Sequence, residues 1–440
     1  MGERKSTLCL LAVAGTLLAT ASVPPQTRAL AITGVNLVDV IDGRIVPNTT
    51  VTINGATITS VTPNGTTPAN VRAVSGQAKF LIPGLWDMHA HMEASGEPWL
   101  QLYVANGVTG IRDMGSSLDV ILAMREATSS GRVLGPRIFA AGPILDDAPG
   151  DWPFRMRVKT SEEGRAAVRL LKRRGVDLIK VHNHTPRDAY FAIADEARRQ
   201  DVPLAGHIPL RVTIEEAIAA GQGDIEHYSE SRLWMGCSGG PNYQPEACRP
   251  LFGTLARRRI WQTPTLMAAS ELATIGTPAS SISAEQLAYA TKSVRGMWAG
   301  VQGTFVTPEV VRLFKQRAEV AAVVTSDMAK AGVGILTGCD SLIAGFCVHD
   351  EVAAMVRGGM TPLAALQAAT LNPARYFNLS ETAGTVAPGR RADLVLLDAN
   401  PLTDIRNVQR IRAVVVGGRL LNRQDLDALL AQVKTAATRR

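Results

Sequence analysis

The chain has 440 residues, 46% hydrophobic and 19% charged, with a formal net charge of +7. That balance is ordinary for a globular protein, and the length suits one large barrel or two domains. The basic residues are scattered, in KRR at 172–174, RRR at 257–259 and a terminal TRR, with no run interleaved with aromatics, so no nucleic-acid partner is expected.

At the N-terminus, Arg4 and Lys5 precede the apolar run LCLLAVAGTLLAT and the triplet Ala19-Thr20-Ala21. A basic start, a short apolar stretch and an A-x-A site read as a signal peptide over residues 1–21. The run is too short for a standard membrane span and no later stretch supplies one. An exported protein, periplasmic or secreted, with no stable membrane span after cleavage is expected; an uncleaved anchor is the alternative. Export changes how the cysteines read. With Cys9 in the leader, four remain, and an oxidising compartment favours pairing. Cys237 and Cys248 bracket the loop-like SGGPNYQPEA and are expected to pair, leaving Cys339 with Cys347. Buried free thiols are the alternative.

Residues 30–82 are rich in Val, Ile, Thr, Asn and Gly, with turn signals at Asp42-Gly43, Asn54-Gly55 and Asn64-Gly65, and predict short strands and hairpins. The texture then changes. Eight apolar segments follow: GLWDMHAH (84–91), GVTGIRDMG (107–115), PRIFAAGPI (136–144), VDLIKVHN (176–183), VPLAGHIP (202–209), GDIEHY (223–228), WQTPTL (261–266) and VGILTGCD (333–340). Between them lie stretches with apolar residues at helical spacing, among them 162–175, 188–200 and 213–221. Strand alternating with helix eight times predicts an α/β fold, a (β/α)8 TIM barrel, over 83–375. Short strands return over 376–421 and are expected to pair with 30–82 as a small β-sandwich domain. Residues 422–440 hold a terminal helix, RQDLDALLAQVK, and a tail.

Polar residues gather at the C-terminal ends of these segments, where barrel enzymes carry their catalytic groups. They are His89, His91, Lys180, His207, His227 and Asp340. Residues i and i+2 of a strand share a face, so His89 pairs with His91 and Lys180 with His182. Of seven histidines in the chain, four stand at such ends. Neutral imidazoles with a carboxylate suit zinc or a similar borderline metal. Lys180, in the middle of an apolar strand, is costly there unless neutralised or paired.

Between about Leu30 and Leu421 lie the motifs LIPGLWDMHAH, GVTGIRDMG, LIKV, GHIP, IEHY, TGCDS, GGMTPLAALQAATLNPARYFNL and GTVAPGRRADLVLLDANPL. In them the chain resembles the amidohydrolase superfamily, in its imidazolonepropionase/prolidase-like branch. The resemblance implies two divalent metal ions, zinc being the first expectation. His89, His91 and Asp340 would bind one and His207 and His227 the other. Lys180 matches the lysine that becomes a CO2-derived carbamate and bridges both. A dry, cationic cavity lowers a lysine pKa and exposes the amine this reaction needs. Asp340 would be the catalytic proton carrier for a hydroxide bridging the metals.

Substrate contacts are candidates only: His182, His184, Tyr228, and Arg112 as a carboxylate clamp, with a structural ion pair as the competing role of Arg112. His349 reads as structural. Two stretches depart from prolidase-like relatives, AAGPILDDAPGDWPF and HNHTPRDA, so dipeptide specificity does not carry over. The expected function is an exported hydrolase of an amide-type C–N bond, linear or cyclic, in a small-molecule substrate. Lactone or ester hydrolysis on the same centre is the first alternative. A noncatalytic exported binding protein is the alternative from a different class. Deamination of a heterocycle fits less well, because deaminases of this superfamily usually hold one metal and lack the bridging lysine. A homo-oligomer is left open.

Overall fold

The computed structural model describes residues 29–439 except 68, 150–153, 228–231, 275–281, 293, 297–306, 342 and 344. The signal peptide, Cys9 and Tyr228 lie outside the described residues.

The two chain ends meet in one sheet. Leu30–Val38 pairs antiparallel with Ile45–Asn54, which pairs antiparallel with Thr57–Pro63. At the other end Leu394–Leu397, Ile411–Val416 and Arg419–Asn422 form an antiparallel run. Phe80–Pro83 joins the halves, running parallel to Leu30–Val38 and antiparallel to Leu394–Leu397. The turns fall where the sequence marks them, with Gly43 at φ 81° and Gly55 at φ 56°. Ile32, Val51, Ile53, Leu81, Leu394 and Val415 share one apolar core. These seven strands form one hydrogen-bonded path, with Arg72–Ser75 added parallel to Leu30–Val38 as an eighth, where the sequence predicts a sandwich. Short alternating strands specify a buried face but not which strands pair.

From Leu85 the strands become parallel and short. Leu85–Ala90, Val108–Asp113 and Arg137–Ala140 form one set. Ile179–Val181, Leu204–Gly206, Asp224–Glu226 and Trp261–Thr263 form a second. Ile144–Asp146 adds to the second set beside Ile179–Val181 and pairs with Arg155–Arg157. Backbone bonds tie the sets together. Asp177 N–H donates to Ala140 O (2.9 Å) on one side. On the other, residues 333–340 lie between Trp261–Thr263 and Leu85–Ala90. A parallel bridge joins Gln262 to Ile335. Met88 N–H donates to Thr337 O and Asp340 N–H to His89 O, both at 2.8 Å.

The eighth segment is therefore extended but makes only one ladder bridge. Its glycines explain this in part. A Cβ at Gly334 would lie 2.3 Å from the Trp261 ring, and one at Gly338 2.9 Å from His89 Cβ, so the chain runs too close to its neighbours for ordinary side chains.

The helices follow their sequence signals. Ser161–Arg174 starts in a Thr160/Glu163 capping box and stops at left-handed Gly175. Ile214–Ala220 repeats this with Thr213, Glu216 and Gly221. Arg423–Arg439 is the expected terminal helix and packs on Trp99–Ala105. Both expected disulfides are present, Cys237–Cys248 and Cys339–Cys347. Among the described residues no helix is long and apolar enough to cross a membrane.

Candidate metal centre

His89 ends the fully buried strand Leu85–Ala90, and His91 caps the short helix that follows. Both face Asp340. His89 Nε2 is 3.7 Å and His91 Nε2 3.3 Å from Asp340 Oδ1, and His227 Nε2 is 3.7 Å from Asp340 Oδ2. The ligand atoms of His89, His91 and Asp340 all lie within 4.8 Å of one another. The His227 ring stands 4.5 Å from that of His89 and 4.6 Å from that of His207.

Backbone conformation makes this convergence possible. Glu226 and His227 are adjacent, so an uninterrupted strand would send them to opposite faces. Yet both touch His89, because the strand stops at Glu226 and His227 adopts φ 62°. Asp340 is likewise left-handed, at φ 49°. Such conformations are costly for non-glycine residues and cluster at functional sites.

Each of the four imidazoles is anchored through Nδ1. His89 Nδ1 pairs with Glu226 Oε2 (2.5 Å) and His91 Nδ1 with Gly115 O (3.0 Å). His207 Nδ1 pairs with Asn183 Oδ1 (3.1 Å) and His227 Nδ1 with Thr265 Oγ1 (2.6 Å). Gly115 O, the Glu226 carboxyl and Asn183 Oδ1 accept from Nδ1–H, and the Thr265 hydroxyl can do the same for His227, so Nε2 is the nitrogen that His89, His91 and His227 turn towards Asp340. Metal-ligating histidines are oriented in the same way.

The charges agree. Burial and the Lys180 charge hold His89 and His207 well below the usual imidazole pKa. Burial and the neighbouring His89 do the same for His227. These rings are neutral, the form that binds a cation. Burial also lowers the Lys180 pKa against the pull of Glu226 and Asp340. Burial works against ionised Asp340, but His89, His91 and His227 outweigh it and keep the carboxyl well below its usual range. His91 goes the other way: burial lowers its pKa, but contact with Asp340 overcomes this and raises it. A cation in this cluster would replace that proton-dependent pairing with coordination. The donor set therefore fits a divalent metal.

The sequence profile of the Amidohydrolase family matches residues 80–421. The chain belongs to the amidohydrolase family. Ochratoxinase of Aspergillus niger is 26% identical to this amidohydrolase over 407 residues, covering 77% of this chain and 75% of that protein. Among solved structures, bottromycin amidohydrolase superposes with a TM-score of 0.75 at 23% identity, covering 93% of this chain and 91% of its own. A Xaa-Pro dipeptidase with bound methionine in its active site reaches a TM-score of 0.69 at 21% identity, covering 90% and 100%. These likenesses show an α/β, TIM-barrel-like fold.

Within the amidohydrolase, the remaining candidates separate. Arg112 takes the structural ion-pair role that competed with a carboxylate clamp, with Asp224 and Glu226 as its acids. It is fully buried, donating to Met88 O (2.6 Å), Glu226 Oε1 (2.7 Å) and Thr263 Oγ1 (3.0 Å) and pairing with Asp224 (2.6 Å). Its guanidinium balances two buried acids and so holds Glu226 against His89. His182 lies against the centre, its ring 4.0 Å from that of His207, and burial with the Lys180 charge lowers its pKa to about 3. His184 is exposed and is not brought into the cluster. His349 is buried, with Nε2 2.8 Å from Asn106 O, as a structural residue should be.

Sequence reasoning missed the residues that orient the histidines: Glu226, Asn183, Thr265 and, behind them, Asp224. One signal was present. Asp224 and Glu226 share a strand face in GDIEHY, and two buried acids require a buried cation, which only Arg112 of IRDMG supplies with so complete a set of contacts.

Proposed function

We propose that this protein is an exported, binuclear metal-dependent hydrolase that cleaves amide-type C–N bonds of small molecules. The observation that carries the reading is the common anchoring of His89, His91, His207 and His227 through Nδ1, with Nε2 of His89, His91 and His227 directed at Asp340. His89, His91 and Asp340 would hold one divalent ion, and His207 and His227 the other, zinc being favoured by the nitrogen-rich donors. Lys180, as a carbamate, would be the ligand shared between them. Burial lowers its pKa, which favours the amine form that a reaction with CO2 to a carbamate would need. When bound, such ions polarise a carbonyl and lower the pKa of a water to about 7.

The rest of the work falls to the chain. Asp340 accepts the proton of the attacking water and passes it to the leaving nitrogen. Glu226, through Nδ1 of His89, and Arg112, through Glu226, keep the ring aimed. His182 stands where a substrate would meet the His207 side of the centre.

The relatives' names favour amide chemistry: one is a dipeptidase and one an amidohydrolase. We read the parallel strands as one eight-position barrel over 83–375, closed by residues 333–340. The terminal sheet, from 30–82 and 376–421, would be folded over its core as a sandwich. The leader-like residues 1–21 and the two disulfides support an exported protein.

A panel of N-acyl amino acids, dipeptides, cyclic imides and lactones, assayed with added Zn²⁺, tests the function. Cleavage of an amide that stops with chelator and returns with Zn²⁺ is expected. Turnover confined to lactones would select the ester reading, and metal uptake without any turnover the binding-protein reading.

A further inference from the structure

Asp340 holds a left-handed backbone that its surroundings must enforce. Three hydrogen bonds contribute: Asp340 N–H to His89 O (2.8 Å), Cys339 N–H to Asp87 Oδ1 (3.0 Å) and Ser341 Oγ to Glu271 Oε1 (2.8 Å). The fourth restraint is covalent. Cys339, the residue before Asp340, is bonded to Cys347, the first residue of the helix Cys347–Arg357.

One turn along that helix, on the same face, stands Glu351, fully buried. Its carboxylate accepts from Leu266 N–H (2.9 Å) and Met267 N–H (2.8 Å). Those residues directly follow Thr265, itself left-handed at φ 47°, whose hydroxyl anchors His227 Nδ1. A single helix thus grips the two loops that carry Asp340 and the partner of His227. The second disulfide has no such reach: Cys237–Cys248 joins Arg232–Ser238 to Pro245–Arg257.

We propose that the helix Cys347–Arg357 is a positioning element of the metal centre: Cys347 fixes Asp340 through its bond to Cys339, and Glu351 fixes His227 through the turn at 265–267. The oxidised Cys339–Cys347 bond is then a condition of full metal affinity, which ties the assembly of the site to an oxidising compartment. This rests on the metal-centre reading above.

The test uses the full mature chain, stripped of metal and titrated with Co²⁺, reading the visible absorption spectrum and the affinity against a chelating dye. Far-UV circular dichroism reports folding. The double variant Cys339→Ser/Cys347→Ser is expected to fold, to bind Co²⁺ at least tenfold more weakly, and to show an altered spectrum. Cys237→Ser/Cys248→Ser should keep the wild-type spectrum and affinity. Glu351→Gln should weaken one of two Co²⁺ sites. A folded Cys339→Ser/Cys347→Ser protein with wild-type affinity and spectrum would overturn the proposal. Should that variant not fold, a folded Glu351→Gln protein with wild-type Co²⁺ binding overturns it instead. Wild-type protein that takes up no Co²⁺ removes the metal-centre reading itself.

Discussion

Asp340 and His349 show how differently two buried polar residues can serve. Asp340 faces three imidazoles and does chemistry in the proposed mechanism. Its replacement by Asn keeps the shape and loses the base, so Asp340→Asn should retain the fold and lose at least ~10²-fold in kcat. Turnover within a few fold of wild type would remove the role. His349 carries stability. Burial pushes its pKa down to about 4 from 6.5, although the Asn106 carbonyl pulls it up. The unfolded chain therefore takes up this proton below pH 6.5, and the folded one only near pH 4. The stability involved is complete above pH 6.5 and is lost as the pH falls to 4, at about 1.4 kcal/mol per pH unit. Unfolding free energies between pH 4 and 7 should fall more steeply for wild type than for His349→Gln. Parallel curves would assign the acid sensitivity elsewhere. The ligand residues were legible in the sequence because strand-end histidines and a buried lysine need a reason to be there. Their partners were less so: Thr265 and Asn183 are ordinary polar residues until the fold aims them at a ring.

At the scale of elements, the strands that carry Lys180 or lead into His207 and His227 are three residues long and depend on close backbone approach. Gly206, between Lys180 and His207, makes this concrete. It sits at φ 124°, and an added Cβ would lie 2.2 Å from Val181 O and 3.0 Å from Lys180 Cδ. Gly206→Ala should cost about 3 kcal/mol or more, read as a lowered Tm in thermal unfolding, and should displace Lys180. About 3 kcal/mol would shift the Tm of a chain this size by roughly 3 °C, so a Tm within about 1 °C of wild type would show that the backbone can yield there. Helices were the easiest elements to place, since capping boxes and closing glycines are local signals. The eighth strand was harder. VGILTGCD has the composition of a strand, yet its ladder is one bridge, because Gly338 and left-handed Asp340 turn the chain towards His89. Arg112 is the comparable lesson in packing: its neighbours Asp224 and Glu226 lie more than a hundred residues away, and only their burial together decides that it holds the site rather than a substrate.

For the whole molecule, metal and fold should be linked. A cation that binds only the folded chain stabilises it by about 4 kcal/mol at a thousandfold excess over its Kd. Removing metal with dipicolinate should lower the Tm by several degrees, and Zn²⁺ should restore it. A Tm indifferent to both would mean that the histidine cluster is held together by the protein alone. The same scale explains the terminal sheet. Phe80–Pro83 joins strands from opposite ends of the chain, so the terminal sheet exists only once the residues between them have brought those ends together.

The sequence by itself determined the alternation of strands and helices, the pairing of cysteines and the identity of the strand-end ligands, because each rests on local periodicity, spacing or residue chemistry. Tertiary structure alone decided which nitrogen of each clustered histidine is anchored, that Arg112 lies beneath the site, and that one helix grips the loops of Asp340 and His227. Those facts depend on backbone direction at a few left-handed residues and on charges brought together from distant segments, and neither is written in any single stretch of sequence.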